Sequence, residues 1–141
     1  MKVKVSKTDV WVAAMEDRPG GLAELLEVLA DAGANLEFII SRRSPEKPGR
    51  GVVFVTPIKG LRQVKAARAA GFKKTGSLHS LRIEGADQPG LGAKITTLLA
   101  RRGINLRGLS AAAFGRQFVC HLALDTAAAA TKAVKALKSI K

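Results

Sequence analysis

The hydrophobic and polar positions of this 141-residue chain follow the same pattern twice. In the first half, a β-rich stretch at 8–16 is followed by leucines spaced at 0, +3, +4 and +7, which is the apolar stripe of an amphipathic helix. The first half predicts strands at 8–16, 35–43 and 51–56 and helices at 21–32 and 57–70. The second half predicts strands at 80–85, 105–113 and 116–124 and helices at 90–102 and 126–139. Each half therefore has the order β-α-β-β-α.

Two short sequence blocks repeat with one common offset. Asp-Arg-Pro-Gly at 17–20 returns as Asp-Gln-Pro-Gly at 87–90, and Ala-Gly-Ala-Asn-Leu at 32–36 returns as Arg-Gly-Ile-Asn-Leu at 102–106. A period near 70 residues is too long for a solenoid repeat and suits a small α+β module. The chain is therefore interpreted as a duplication, with domains at 1–71 and 72–141.

A closing strand would turn each half into the ferredoxin-like order βαββαβ, an α+β fold in which helices cover one face of an antiparallel sheet. Modules of about 70 residues are individually marginal, so we expect the two copies to share a continuous core or, as the fold class has it, one extended sheet. Residues 72–78 supply the last strand of the first copy, whereas the second copy has none after its final helix. We therefore expect residues 1–6 to complete the second sheet, so that the halves exchange edge strands.

The composition excludes several classes of protein. The apolar content of 47% with 25% charged residues is typical of a globular protein, and no apolar run reaches the roughly 20 residues of a membrane helix. The first residues alternate lysine and valine and lack the apolar block of a signal peptide. The single cysteine, Cys120, excludes an internal disulfide and favours a reducing cytoplasm. Its neighbour His121 points to the opposite face of a strand, so we expect a buried structural cysteine and no metal.

The net charge of +13 is unevenly distributed, with +4 on residues 1–70 and +9 on residues 71–141. Such an excess attracts nucleic acid, acidic proteins or anionic metabolites. The simpler interpretation is a solvated surface, because no aromatic residues alternate with the basic ones as they do in single-strand-binding platforms. The basic, proline-containing loop at 42–50 is open to the same two interpretations.

The repeated turn has a chemistry of its own. A Pro-Gly turn at a helix N-terminus presents backbone N–H groups to a carboxylate, and an aspartate can accept a hydrogen bond from an ammonium group. With an asparagine from a neighbouring copy, this combination suits a zwitterionic amino acid. The alternative needs no ligand, since Asp17 and Asp87 could cap helices while Asn35 and Asn105 occupy turns.

The repeated Asp-x-Pro-Gly, the amphipathic helix and the following Gly-x-Asn-Leu resemble the ACT domain family. The resemblance implies two ferredoxin-like ACT domains and a small regulatory protein that binds an amino acid at the seam between them. The family's ligand-contacting region falls on Asp17, Pro19, Gly20, Gly21, Leu22 and Asn35, and on Asp87, Pro89, Gly90, Leu91 and Asn105. Some amino-acid-binding members place a histidine two residues before the turn, where this chain has Met15 and Gly85.

We expect no catalysis, since neither histidine has a suitable partner and no nucleophile-elbow or phosphate-loop motif occurs. The expected partners are an amino acid, a regulated enzyme and a second copy of the chain, with no cofactor and no membrane. The two chains of such a homodimer would pack sheet on sheet or edge on edge, because the strands hold more apolar residues than one helical layer can bury. The alternative function is a basic scaffold that binds nucleic acid or an acidic protein.

Overall fold

The computed structural model describes residues 3–75 and 79–140, which form eight strands and four helices. The elements of the first copy are β2 (Trp11–Glu16), α1 (Gly21–Asp31), β3 (Phe38–Arg43), β4 (Arg50–Thr56), α2 (Gly60–Ala69) and β5 (Lys73–Lys74). Those of the second are β6 (His79–Ala86), α3 (Leu91–Arg101), β7 (Gly108–Phe114), β8 (Gln117–Leu124) and α4 (Ala127–Leu137). A further strand, β1 (Val3–Thr8), precedes both. The predicted order of elements is confirmed in each copy.

Hydrogen bonding divides the described strands into two four-stranded antiparallel sheets, with orders β3-β4-β2-β5 and β1-β6-β8-β7. The expectation of one continuous sheet was therefore wrong. The first sheet ends on the two-residue strand β5. The next strand, β6, cannot extend it because β1 and β8 already pair with both of its edges.

The N-terminal strand pairs with the second copy. β1 runs antiparallel to β6, with Val3 opposite Gly85 and Thr8 opposite Ser80. The first copy keeps its own last strand, because β5 pairs with β2. The expected exchange is thus one-sided, because β1 pairs in the sheet of the second copy while the first copy's sheet receives no strand from the second. Of the strand predicted at 72–78, residues 76–78 lie outside the described part of the chain.

Each sheet has its own hydrophobic core beneath two helices. Leucines of α1 and the inward residues of β2 and β4 form the first, including Trp11, Leu29 and Val53. The second core contains Leu81, Leu99 and Cys120, and β1 contributes to it. Residues 9–75 therefore form one compact unit, and β1 forms another with the elements from β6 onward.

Candidate functional site

The turn after β2 is fastened to the hairpin between β3 and β4. The Asp17 backbone N–H donates to the Gly49 carbonyl at 3.0 Å. The Asp17 Oδ2 accepts a hydrogen bond from Arg43 Nε at 2.8 Å. This carboxylate is thus already engaged with a cation at the surface, on the side of the hairpin.

Neither aspartate of the repeated turn caps a helix, contrary to one of the two expectations. The N-cap residues are Gly20 and Gly90, at φ 84° and 80°, and neither helix has a side-chain cap. A positive φ at these positions favours glycine, which has no Cβ to clash. The N-caps therefore lie three residues after Asp17 and Asp87, and the helices begin four residues after them.

The first turn is folded back so tightly that only glycine fits at position 21. A Cβ on Gly21 would lie 2.2 Å from the Glu16 carbonyl oxygen. The Gly21 N–H donates to the Arg18 carbonyl at 3.0 Å, whereas the Leu91 N–H in the second copy reaches the Gln88 carbonyl only at 3.4 Å. The looser second turn accommodates a leucine, which is buried in its core.

Arg18 connects both ends of the first turn. Its Nε donates to Glu16 Oε2 at 2.6 Å, and its Nη2 donates to the Glu24 carboxylate oxygens at 2.9 and 2.8 Å. The hydrogen bond and the positive charge of Arg18 hold the pKa of the Glu16 carboxyl below its ordinary value. One guanidinium is therefore held between two carboxylates at the start of α1.

A surface cleft of about 240 Å³ opens at this ion cluster. It is lined by Ala14, Met15, Glu16, Arg18, Gly21, Glu24, Leu25 and Arg50. The lining combines carboxylates, guanidinium groups and an apolar part contributed by Met15 and Leu25. Such a cleft can receive a small ligand that carries both charges.

The second copy keeps the backbone anchor but not the ion cluster. The Asp87 N–H donates to the Arg116 carbonyl at 2.9 Å, as Asp17 does to Gly49. The positions of Glu16, Arg18 and Glu24 are occupied by Ala86, Gln88 and Lys94. The two turns therefore share a backbone arrangement and differ in charge.

The two predicted asparagines lie at the far ends of their helices. Asn35 follows α1 and Asn105 follows α3, and both are exposed. An 11-residue helix is about 16 Å long, so no unit brings its own asparagine and aspartate together. The seam between the copies, where an asparagine of one would meet the turn of the other, stays a prediction.

The sequence patterns did not indicate Glu16, Arg18 and Glu24 as site residues. Arg18 occupies the variable position of the repeated Asp-x-Pro-Gly. A signal was present in the repeat itself, since an arginine becomes glutamine and a glutamate becomes lysine seventy positions later. These are the positions at which the duplicated turn changes its charge.

Comparison with known protein families identifies both copies. The family model described as ACT domain matches residues 12–70 and again residues 79–139. The chain belongs to the ACT domain family. The repeated turn and the ferredoxin-like order of elements therefore mark two ACT domains in tandem, as the resemblance implied.

Several solved structures share the fold of this chain. A protein from Bacteroides thetaiotaomicron is 19% identical with a TM-score of 0.78, covering 95% of this chain and 88% of its own. The ligand-free regulatory subunit of aspartate kinase from Thermus thermophilus is 19% identical with a TM-score of 0.67, covering 97% and 95%. E. coli aspartokinase III in complex with aspartate and ADP is 14% identical with a TM-score of 0.61, covering 97% of this chain and 32% of its own. At these identities the likeness establishes the fold.

A search of curated proteins gave no significant match to the tandem ACT chain. Within residues 3–75 and 79–140, no group of three or more histidine, cysteine or acidic side chains is placed to hold a metal ion. None of the described helices is long and apolar enough to cross a membrane.

Proposed function

We propose that this tandem ACT protein is a regulatory subunit that binds a free amino acid and passes the signal to a partner enzyme. The single observation that carries the proposal is the cleft beside the first turn, where groups of both charges surround a space of about 240 Å³. Membership of the ACT family supports it. So does the aspartate bound in E. coli aspartokinase III, a structural relative.

The lining offers a partner to each part of an amino acid. The ligand ammonium group finds an acceptor in the Glu16 or Glu24 carboxylate, and the ligand carboxylate finds a donor in Arg50. The backbone N–H groups at the start of α1 add a second donor set, because the first turn of a helix leaves them without intrahelical partners. The ligand side chain would lie against Met15 and Leu25.

The cost of opening the ion cluster is small. The side chains of Arg18, Glu16 and Glu24 are 44%, 60% and 64% exposed, and exposed ion pairs contribute little to stability. The carboxylate of a zwitterionic ligand can therefore replace one carboxylate of the cluster as the partner of Arg18. The cluster in the ligand-free protein also keeps the charged groups oriented toward the cleft.

The first unit is the better site of the two. The second turn has Ala86, Gln88 and Lys94 at the corresponding positions, so it offers no carboxylate apart from Asp87. We therefore propose one strong amino-acid site per chain, lined by Glu16, Arg18, Gly21, Glu24 and Arg50, with Asp17 and Gly20 in the adjoining turn. Asp87, Pro89, Gly90, Leu91 and the two asparagines remain candidates for a weaker site at the seam between the copies.

We also propose that the protein acts as a homodimer without catalytic activity, in the cytoplasm. Exposed large apolar side chains on β3 and β7, namely Ile39, Ile40, Leu109 and Phe114, support self-association. Each of these strands lies at the edge of its sheet. Sedimentation of the purified chain measures the dimer directly.

The ligand is found by thermal unfolding with each of the twenty amino acids at millimolar concentration. A ligand at about 100 times its Kd adds about 2.7 kcal/mol, which raises the unfolding temperature by several degrees. Titration calorimetry of Glu16→Gln and Glu24→Gln should then give affinities at least about tenfold weaker, because charge-assisted hydrogen bonds are lost. The control variant Glu27→Gln removes an exposed carboxylate of α1 that does not line the cleft, and it should bind as the wild type does. An unchanged unfolding temperature with all twenty amino acids, or equal affinity in all variants, would refute the site.

A further inference from the structure

The exposed surface of the second helical layer is strongly basic. Besides Lys94 near the start of α3, five exposed basic side chains lie on α3, on α4 and at their C-terminal ends, and we name these five the basic helical face: Arg101, Arg102, Lys132, Lys135 and Lys138. Neither α3 nor α4 carries an aspartate or a glutamate. The nearest acidic residue in sequence, Asp125, precedes the N-cap of α4.

The helix geometry groups these charges. Lys132, Lys135 and Lys138 follow one another at steps of three residues, so neighbours in this series project from adjacent positions on the helix surface. The Lys132 Nζ donates to the Arg102 carbonyl at 3.4 Å, which places the middle of α4 beside the end of α3. The charges of both helices therefore form one continuous surface.

The first unit provides an internal comparison. The exposed positions of α1 hold Glu24, Glu27 and Asp31. Their counterparts on α3, seventy positions later, are Lys94, Thr97 and Arg101. Both α2 and α4 carry basic residues. The helices of the first unit therefore have balanced charge, whereas the helices of the second unit carry only positive charges. Since the same fold forms with balanced charge, folding does not require the excess, and repulsion between like charges opposes it.

The chemistry of the basic helical face restricts the class of partner that it can bind. The exposed large apolar residues of the described chain are Val28, Ile39, Ile40, Leu61, Leu109 and Phe114, none of which lies on α3 or α4. Membrane-surface helices need an exposed apolar face, protein interfaces need aromatic or apolar anchors, and single strands need aromatic stacking platforms. The residues between the charges are small, such as Ala100 and Thr131, and permit close approach.

We propose that the basic helical face binds the phosphate backbone of double-stranded nucleic acid without reading the base sequence. Duplex DNA carries about one negative charge per 1.7 Å of its axis, so a face of five cations can neutralise several phosphates at once. Binding of this kind depends on release of counterions and weakens steeply with salt. The tandem ACT chain thereby has a second binding activity, separate from the cleft in its first unit.

Fluorescence anisotropy with a DNA duplex of arbitrary sequence and about 20 base pairs tests the proposal at salt concentrations from about 50 to 200 mM. Over this range a protein that makes about 6 to 10 phosphate contacts loses orders of magnitude in affinity. In the test variant, Arg101, Lys132, Lys135 and Lys138 are replaced by glutamine. In the matched control, Arg42, Lys47, Lys59 and Lys65 are replaced by glutamine, which removes the same number of exposed charges from the first unit. The test variant should bind at least about tenfold more weakly and show a salt slope smaller by about 3 to 4. The control should lose less than about threefold.

A charge-conserving variant separates charge from folding. Exchanging the same four residues between lysine and arginine should leave duplex affinity within about twofold of the wild type. Equal weakening of the test and control variants would show that net charge alone attracts DNA, and would overturn the proposal. It would also be overturned by absence of wild-type binding at 50 mM salt, or by tighter binding to single strands or to anionic lipid vesicles.

Discussion

Met15 fills the space in which a side chain at position 51 would begin. A Cβ placed on Gly51 would lie 2.9 Å from the Met15 Cε, and the two residues face each other across β2 and β4. The equivalent pair in the second unit is Gly85 opposite Phe118, whose ring belongs to the core. The large and small residues have exchanged strands between the copies, so that each unit fills the same place from the opposite side.

This exchange predicts a measurable coupling. Gly51→Phe should destabilise the first unit by about 2 kcal/mol, because the new ring overlaps Met15 in a packed core. Adding Met15→Gly reproduces the pair of the second unit and should recover part of that loss. Urea unfolding of both single variants and the double variant should give an interaction energy of about 1 kcal/mol or more. Strict additivity would mean that the two residues do not share one space.

The tight first turn predicts opposite effects for two glycines near the starts of equivalent helices. Gly21→Ala forces a Cβ to within 2.2 Å of the Glu16 carbonyl oxygen, so the turn must open, at a cost of about 2 kcal/mol or more. Gly92→Ala meets no atom within 4 Å and should gain about 0.5 to 1 kcal/mol from the better helix propensity of alanine. Thermal unfolding measures both. A neutral Gly21→Ala would show that the turn is not constrained as described.

The sequence predicted the fold better than the site, for physical reasons. The leucine stripe of α1 reports burial with helical period, and the missing last strand of the second copy pointed to β1. The role assigned to Asp17 as a cap failed, because a left-handed Gly20 moves the helix start beyond its reach. The ion cluster around Arg18 depends on how the turn folds back, and no periodicity encodes that.

Burial of Cys120 predicts a loss of stability at high pH. Burial raises the pKa of this thiol from 9.0 to about 11. A raised folded-state pKa contributes stability that is complete below pH 9 and is lost as the pH rises toward 11. The free energy of unfolding should therefore fall by about 1.4 kcal/mol per pH unit in this window.

A Cys120→Ala variant controls for the lysines, which titrate in the same range. Its free energy of unfolding is lower at neutral pH because a buried group is lost, but it lacks the thiol contribution above pH 9. The difference between wild type and variant should therefore shrink as the pH rises. Parallel curves from pH 8 to 11 would contradict a buried, protonated thiol.

The one-sided placement of β1 predicts different fates for the two halves. Residues 9–75 contain all four strands of their sheet, so this fragment should fold and unfold cooperatively. Residues 76–141 lack β1, which pairs with β6 over six residues and contributes Val3 and Val5 to the core. This second fragment should be unfolded or strongly destabilised, with exposed β6 edge groups that favour aggregation.

Joining residues 1–8 to the C-terminus of this fragment through a flexible linker of about ten residues should restore a cooperative transition, because α4 and β1 pack together in the same unit. Circular dichroism during heating compares the three proteins, and a linked segment with Val3 and Val5 changed to serine is the control that should fail to rescue. Full folding of 76–141 without the strand would show that β1 is dispensable to the second ACT domain.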